Sequence, residues 1–377
     1  MCLSRSTSRA AADMSGLIVH EWLAPAGGSE NVFGAIAEAF PDAERWCLWK
    51  ESDRFDPVNE TWLARTPLKG RKALALPFMP AVWRTLPKRN ADWVLTSSHL
   101  FAHHAQFGGP AAKAPKLVYA HTPARYIWVP ELDARGNNLP ARLASRMLKP
   151  LDKKRAQEPI AIAANSHFIA NRIAETWDRE AEVIYPNVDV SKFAIEPTLS
   201  ASDELLLTQL PEQYVLGFSR FVPYKRLDAA IDAGRVSGLP VVLAGGGDDE
   251  SRLRAYADSV HPGKVRFVLN PPDALLSAIL RRATVLVFAP VEDFGIIPVE
   301  AMAAGTPVIV NAIGGAVESV IDGVTGAHVH DWDDDAELRD AVARSIRCDA
   351  NACKQRASQF DSTIFKERLR DFVLKHQ

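Results

Sequence analysis

Two carboxylates eight residues apart, Glu292 and Glu300, bracket a helix start within residues 285–310, VLVFAPVEDFGIIPVEAMAAGTPVIV. The apolar, β-branched run 284–289 ends at Pro290 and predicts a buried strand of a parallel sheet. Gly295 lets backbone approach a ligand, and Pro298 suits a first helical turn. Residues 299–304 then read as a compact helix stopped by Gly305 and Pro307. Unpaired N–H groups and the positive end of the helix dipole would lie at the carboxyl edge of the sheet, where anions bind and open α/β sheets hold ligands. Carboxylates accept hydroxyls and repel phosphate. A ligand with an anionic middle and sugar hydroxyls on both sides, the layout of a nucleotide sugar, meets both demands; a capped, solvated loop with two surface glutamates is the alternative.

A second strand, VLGF, runs into Ser219, Arg220, Phe221, Val222, Pro223, Tyr224 and Lys225. Arg220 and Lys225 stand just past its end, where a guanidinium and an ammonium would neutralise a diphosphate and stabilise it as a leaving group. A solvated basic loop is the plainer reading. Residues 244–250, AGGGDDE, have Glu250 where a dinucleotide fingerprint needs its third glycine, so this turn either passes close to a nucleotide or is only a turn.

In the first half, Gly27 and Gly28 mark a strand-to-helix turn where absent side chains would admit a diphosphate or acceptor. His121 follows a strand in VYAHTPARYIW, in a structural or a catalytic place, and Arg125 one turn later could bind an anion or form a salt bridge. His99, His103 and His104 lack a carboxylate or cysteine at ligand spacing and read as cleft lining or core. The acidic run in DWDDDAEL, from residue 331, is expected to cap a helix rather than hold a metal.

These groups need a scaffold. Strands are expected at 17–20, 45–48, 93–97, 117–120, 161–164 and 182–185, alternating with helical or turn-rich sequence. The pattern restarts at 214–218 and continues at 241–244, 265–268, 285–288 and 308–310, which implies parallel sheets covered on both faces. Residues 186–204, rich in Pro, Ser and acidic side chains, read as a linker. The expected domains are therefore 14–186 and 187–360, facing across a cleft, with 361–377 a terminal helix packed across both.

A chain of 377 residues with 47% apolar content has material for two cores. Its net charge of −2 argues against a nucleic-acid partner. Four cysteines form no disulfide framework and fit a reducing cytoplasm. The start MCLSRSTSRAAADM lacks the apolar segment of a secretory signal, and Met14 could be the working start. Residues 61–90 hold seven basic and no acidic side chains, mixed with Leu, Phe, Met and Trp. Such a mixture suits either an anionic membrane surface or an ordinary solvated segment.

Taken together, GGSE, YAHTPARYIW, FSRFVPYKRLDAAI and EDFGIIPVEAMAAGTPVI resemble retaining glycosyltransferases of the GT-B fold (family 4, group 1), nearest to bacterial mannosyltransferases of surface polysaccharides and glycolipids. The resemblance implies an α/β architecture of two Rossmann-like, doubly wound domains. It implies a nucleotide-diphospho-sugar donor, GDP-mannose first, and a glycan or polyprenol-linked acceptor at the cytoplasmic membrane face. No metal and no further cofactor are implied. Glu292 would hold donor hexose hydroxyls, Glu300 the ribose, and Arg220 and Lys225 the diphosphate. The backbone of Phe294, Gly295 and Ile296 would cradle phosphate and sugar, His121 would match the active-site histidine, and Gly28 the N-domain glycine turn. Asp293 stands where many relatives have glycine, which leaves the sugar's identity open. A sugar-nucleotide epimerase and a non-catalytic nucleotide-sugar-binding subunit are the alternatives.

Overall fold

A computed structural model describes residues 15–129 and 139–377; the N-terminal segment, with Met14, lies outside the described residues. The chain divides into two compact units, one comprising residues 1–187 together with Thr363–Gln377, the other Val188–Ser362.

The first unit is built on a seven-stranded parallel sheet in the order β3-β2-β1-β4-β5-β6-β7. Its strands are β1 Gly16–His20, β2 Glu44–Cys47, β3 Asn59–Glu60, β4 Trp93–Ser98, β5 Lys116–Ala120, β6 Ala161–Ala164 and β7 Glu182–Val183. Central strands are buried on both faces because side chains alternate across the sheet. Leu17 and Val19 enter a core with Trp49, Trp83 and Phe101, while Ile18 between them points into another with Phe33, Ile36 and Leu117.

Helix Ser362–Lys375 closes that second face. Its Phe365, Leu369, Phe372 and Val373 are buried in the same core. Phe365 meets Tyr119 edge-on at 5.5 Å, and Lys366 and Lys375 pair with Glu38 and Glu182 at 3.0 Å each.

The second unit carries a six-stranded parallel sheet in the order β10-β9-β8-β11-β12-β13. These strands are β8 Val215–Phe218, β9 Val241–Gly245, β10 Val265–Leu269, β11 Val285–Phe288, β12 Val308–Asn311 and β13 Gly326–Val329. The short β3 and β13, absent from the expected strands, hold one β-branched residue between them.

The expected linker needs correcting. Residues 190–194 and 201–208 are helical, started by Asp189 accepting from the Lys192 N–H and Ser200 from the Asp203 N–H, each at 3.2 Å. Phe193 is buried in the second unit, and Arg281 donates to its carbonyl at 3.1 Å. Aspartate and serine here cap helices rather than loosen the chain. Asp334 likewise accepts from the N–H groups of Ala336 and Glu337 and starts helix Asp335–Ser345.

Candidate active site

In the second sheet the chain builds outward from β8 through β9 and β10, then returns at β11 to build the other way. Loops leaving β8 and β11 therefore diverge and leave a crevice at their carboxyl ends. Arg220, Tyr224 and Lys225 come from the first loop; Glu292, Asp293, Phe294 and Gly295 come from the second.

Lys225 Nζ lies 2.6 Å from Glu292 Oε1, with side chains only 13% and 17% exposed. Arg220 is exposed, and its Nη2 donates to the Tyr224 hydroxyl at 3.0 Å. Gly295 caps helix Ile296–Ala303 at φ +85, a conformation that favours glycine. The first-turn N–H groups of Ile296 and Ile297 have no carbonyl within the helix to bond, and Pro298 brings no N–H at all. Glu300, one turn further, has its carboxyl pushed up to about 7 by burial; Lys192 opposes the shift and Asp273 adds to it. Phe294 is buried against Phe360, ring centroids 5.5 Å apart, so its ring anchors the loop and only its backbone is available to a ligand.

A segment that sequence reasoning passed over holds this loop in place. The Gly315 N–H donates to the Glu292 carbonyl at 2.7 Å, and a Cβ on Gly315 would stand 2.0 Å from the Asp293 carbonyl oxygen. Adjacent Gly314 takes φ +113. The pair in IGGAVES was the available signal. The glycines of AGGGDDE also permit a close approach, since a Cβ on Gly245 would lie 1.9 Å from the Ser219 carbonyl oxygen, and one on Gly247 2.4 Å from that of Phe221. They bring β9 against the segment carrying Arg220, so protein backbone takes the close approach expected of a nucleotide.

The first sheet reverses between β1 and β4. His20 ends β1, Ser97 nearly ends β4, and His99 and His121 follow β4 and β5. Ser97 Oγ lies 3.0 Å from His20 Nδ1 and 2.8 Å from His121 Nε2. The His99 ring stands 5.5 Å from that of His20 and 6.1 Å from that of His121. Burial lowers His121 to about 4 and, with the neighbouring His121, His20 to about 3; burial also carries His99 well below its ordinary value. All three rings are neutral at physiological pH. Glu21, fully buried, accepts from the Leu100 and Ala102 N–H groups at 2.9 and 2.6 Å, and burial pushes its carboxyl up to about 7.

Gly28 opens helix Gly28–Ala39, but Glu30 folds back onto the turn. Its Oε2 would lie 2.1 Å from a Cβ on Gly27, and it accepts from the Ser29 hydroxyl at 2.8 Å. A buried carboxylate thus lies against Gly27, at the turn expected to admit a diphosphate or acceptor.

His103 and His104 do have a carboxylate partner, Asp152, too distant in sequence for spacing to suggest. His104 Nε2 and His103 Nε2 lie 3.0 and 3.2 Å from Asp152 Oδ1, while the indole N–H groups of Trp128 and Trp177 donate to Oδ2 at 2.7 and 2.8 Å. Burial pushes the carboxyl upward, but the adjacent histidines more than offset it and hold Asp152 below the usual range. Both oxygens are thereby occupied in a buried hydrogen-bond hub that joins four segments of the first unit.

Two doubly wound parallel sheets, one in each unit, are the architecture of the GT-B fold. Residues 205–360, within the second unit, match the family described as glycosyl transferases group 1. The chain is 26% identical over 264 residues to the alpha-1,3/1,6-mannosyltransferase alg-2 of Neurospora crassa, covering 56% of this chain and 55% of that protein. It is 32% identical over 205 residues to a D-inositol 3-phosphate glycosyltransferase of Mycobacterium marinum, covering 51% and 44%. The chain thus spans about half the length of these curated relatives. Among solved structures, Anabaena HepE in complex with UDP superposes with a TM-score of 0.71 at 20% identity, over 96% of this chain and 99% of that one. WaaG, a glycosyltransferase involved in lipopolysaccharide biosynthesis, gives 0.67 at 16%, over 96% and 99%.

Proposed function

We propose that the protein is a retaining glycosyltransferase that moves a hexose from a nucleotide-diphospho-sugar to a glycan or polyprenol-linked acceptor in surface polysaccharide or glycolipid synthesis. GDP-mannose is the first donor to test. The observation that carries this reading is the convergence of Arg220, Lys225, Glu292, Glu300 and a helix start at one switch point. The cations and the Ile296 and Ile297 N–H groups bind the diphosphate, Glu292 accepts from hexose hydroxyls, and Glu300 accepts from the ribose. In the free site Lys225 neutralises Glu292. A diphosphate takes over the ammonium and releases the carboxylate for the sugar.

The bond from the anomeric carbon to the phosphate oxygen breaks while the acceptor oxygen attacks from the same face, and the acceptor proton passes to the leaving phosphate. His121 meets the transferred sugar. This route uses neither a carboxylate nucleophile nor a metal. A mannosyltransferase among the relatives supports mannose as first choice, and HepE, solved with UDP-glucose, supports including uridine donors.

Purified protein incubated with GDP-mannose, UDP-glucose and related nucleotide sugars should release one nucleoside diphosphate. Sugar conversion without release would mean an epimerase, and binding without turnover a non-catalytic subunit. Absence of binding to every donor would overturn the donor site itself.

The reading includes a cytoplasmic place with peripheral contact to an anionic membrane. Trp62, Leu74 and Phe78 are about half exposed beside exposed Arg65 and Arg71. Among the described residues, no helix is long and apolar enough to cross a membrane. Arg84, paired with Glu158 at 2.7 Å, is structural. Vesicles containing phosphatidylglycerol should pull down the wild type and lose it on R65E/R71E; equal binding would remove the membrane contact.

A further inference from the structure

The hydrogen-bond chain through Ser97 has consequences for His121. Ser97 Oγ touches His20 Nδ1 and His121 Nε2, and its hydroxyl can donate only once. His20 Nε2 is buried without a partner. If His121 Nε2 carried the proton and donated to Ser97, then Ser97 would donate to His20 Nδ1, and the neutral His20 ring would carry a buried, unpaired N–H on Nε2. If both histidines donated to Ser97, its own buried hydroxyl proton would have no acceptor. One arrangement leaves no donor unpaired: His20 Nδ1–H donates to Ser97, and Ser97 donates to His121 Nε2. Only a bare acceptor on His20 then goes unmatched, a smaller cost than an orphaned donor.

We infer that Ser97 and His20 are positioning residues that fix His121 in its Nδ1–H tautomer, so that His121 works as a hydrogen-bond donor and not as a base. His121 is 9% exposed, and its Nδ1 has no hydrogen-bond partner among the described residues and is not among the sealed polar atoms. Nδ1 is thus the polar edge that the ring offers to a ligand. Burial keeps the ring neutral, which preserves the distinction between its two nitrogens. This inference rests on the reading that His121 meets the transferred sugar. There it donates to a hydroxyl oxygen of that sugar, and the acceptor's proton has the leaving phosphate as its destination.

The test follows the tautomer in full-length, 15N-histidine-labelled protein by long-range proton–nitrogen correlation, together with kcat and KM for the donor. Wild type should show His121 protonated on Nδ1. Ser97→Ala should give mixed tautomers and lower kcat about tenfold, in the range found for other groups that orient a functional histidine, with donor KM within about twofold. Ser97→Thr, which keeps the hydroxyl, should restore both. Should Ser97→Ala fail to fold, His20→Asn keeps an N–H near the Nδ1 position and should preserve the tautomer, whereas His20→Leu should not. An Nε2–H signal in wild type, or a lost tautomer with unchanged kcat, would overturn the inference. The tautomer is read in the ligand-free protein, so a failed donor site, seen as unaltered donor binding in Lys225→Ala and Glu300→Ala, is recognised separately.

Discussion

Glu300 holds its proton unusually tightly for a carboxylate, because burial pushes its carboxyl up to about 7. A ribose hydroxyl donates best to the ionised form. Donor affinity measured by calorimetry should therefore rise between pH 6 and 8, and Glu300→Gln should flatten that rise and weaken binding at pH 8. A wild-type profile that is flat over this interval would contradict the ribose role. The stability effect has the opposite sign: the folded-state value lies above the unfolded one, so this group's contribution is complete below the unfolded value and is lost as pH rises through about 7. Lys225 makes a separate prediction. A charge-assisted contact to a developing phosphate charge contributes about 1.5–3 kcal/mol, so Lys225→Ala should lower kcat/KM roughly 10- to 100-fold. Wild-type turnover by that variant would remove the ammonium from the mechanism.

At the scale of elements, the switch-point loops are held by glycines in a neighbouring turn. Gly315→Ala would drive a Cβ into the Asp293 carbonyl, 2.0 Å away, and displace the loop carrying Glu292. Overpacking of this kind costs about 1–3 kcal/mol. Donor turnover should fall while Arg220→Ala, in the adjacent loop, lowers it by a different route; a Gly315→Ala enzyme with unchanged melting temperature and KM would show the contact to be soft.

The strands β8, β11 and β12 were legible because of their short apolar runs, and Arg220, Lys225 and Glu292 were legible because they follow the ends of β8 and β11 closely. Ser97, Asp152 and Gly315 were not. Each acts on a partner brought close by sheet order, and a hydroxyl two dozen residues from its histidine carries no local signature. The glycine turn at Gly27 was found, but not its occupant, because Glu30 also reads as an ordinary first-turn helix residue. Histidines 103 and 104 were read as cleft lining or core, without Asp152, the carboxylate that both rings face.

For the whole molecule, the division into units is discontinuous in sequence: Thr363–Gln377 belongs with the first 187 residues. Removing residues 362–377 would uncover the apolar surface that Phe365, Leu369, Phe372 and Val373 bury, each burial contributing about 1.5–3 kcal/mol. The truncated protein should lose the first unit's thermal transition and aggregate while the second unit still melts cooperatively. Retention of both transitions in scanning calorimetry would show the helix to be dispensable.

That discontinuity sets an order of events on the ribosome. The second unit is contiguous and can close as it emerges, but the unit made first must wait for helix Ser362–Lys375. At synthesis rates of about 5–20 residues per second, the open interval lasts on the order of ten seconds or more. Throughout it, an apolar sheet face is available to chaperones, and a message cut short within the second unit should yield a chain whose first unit lacks its covering helix.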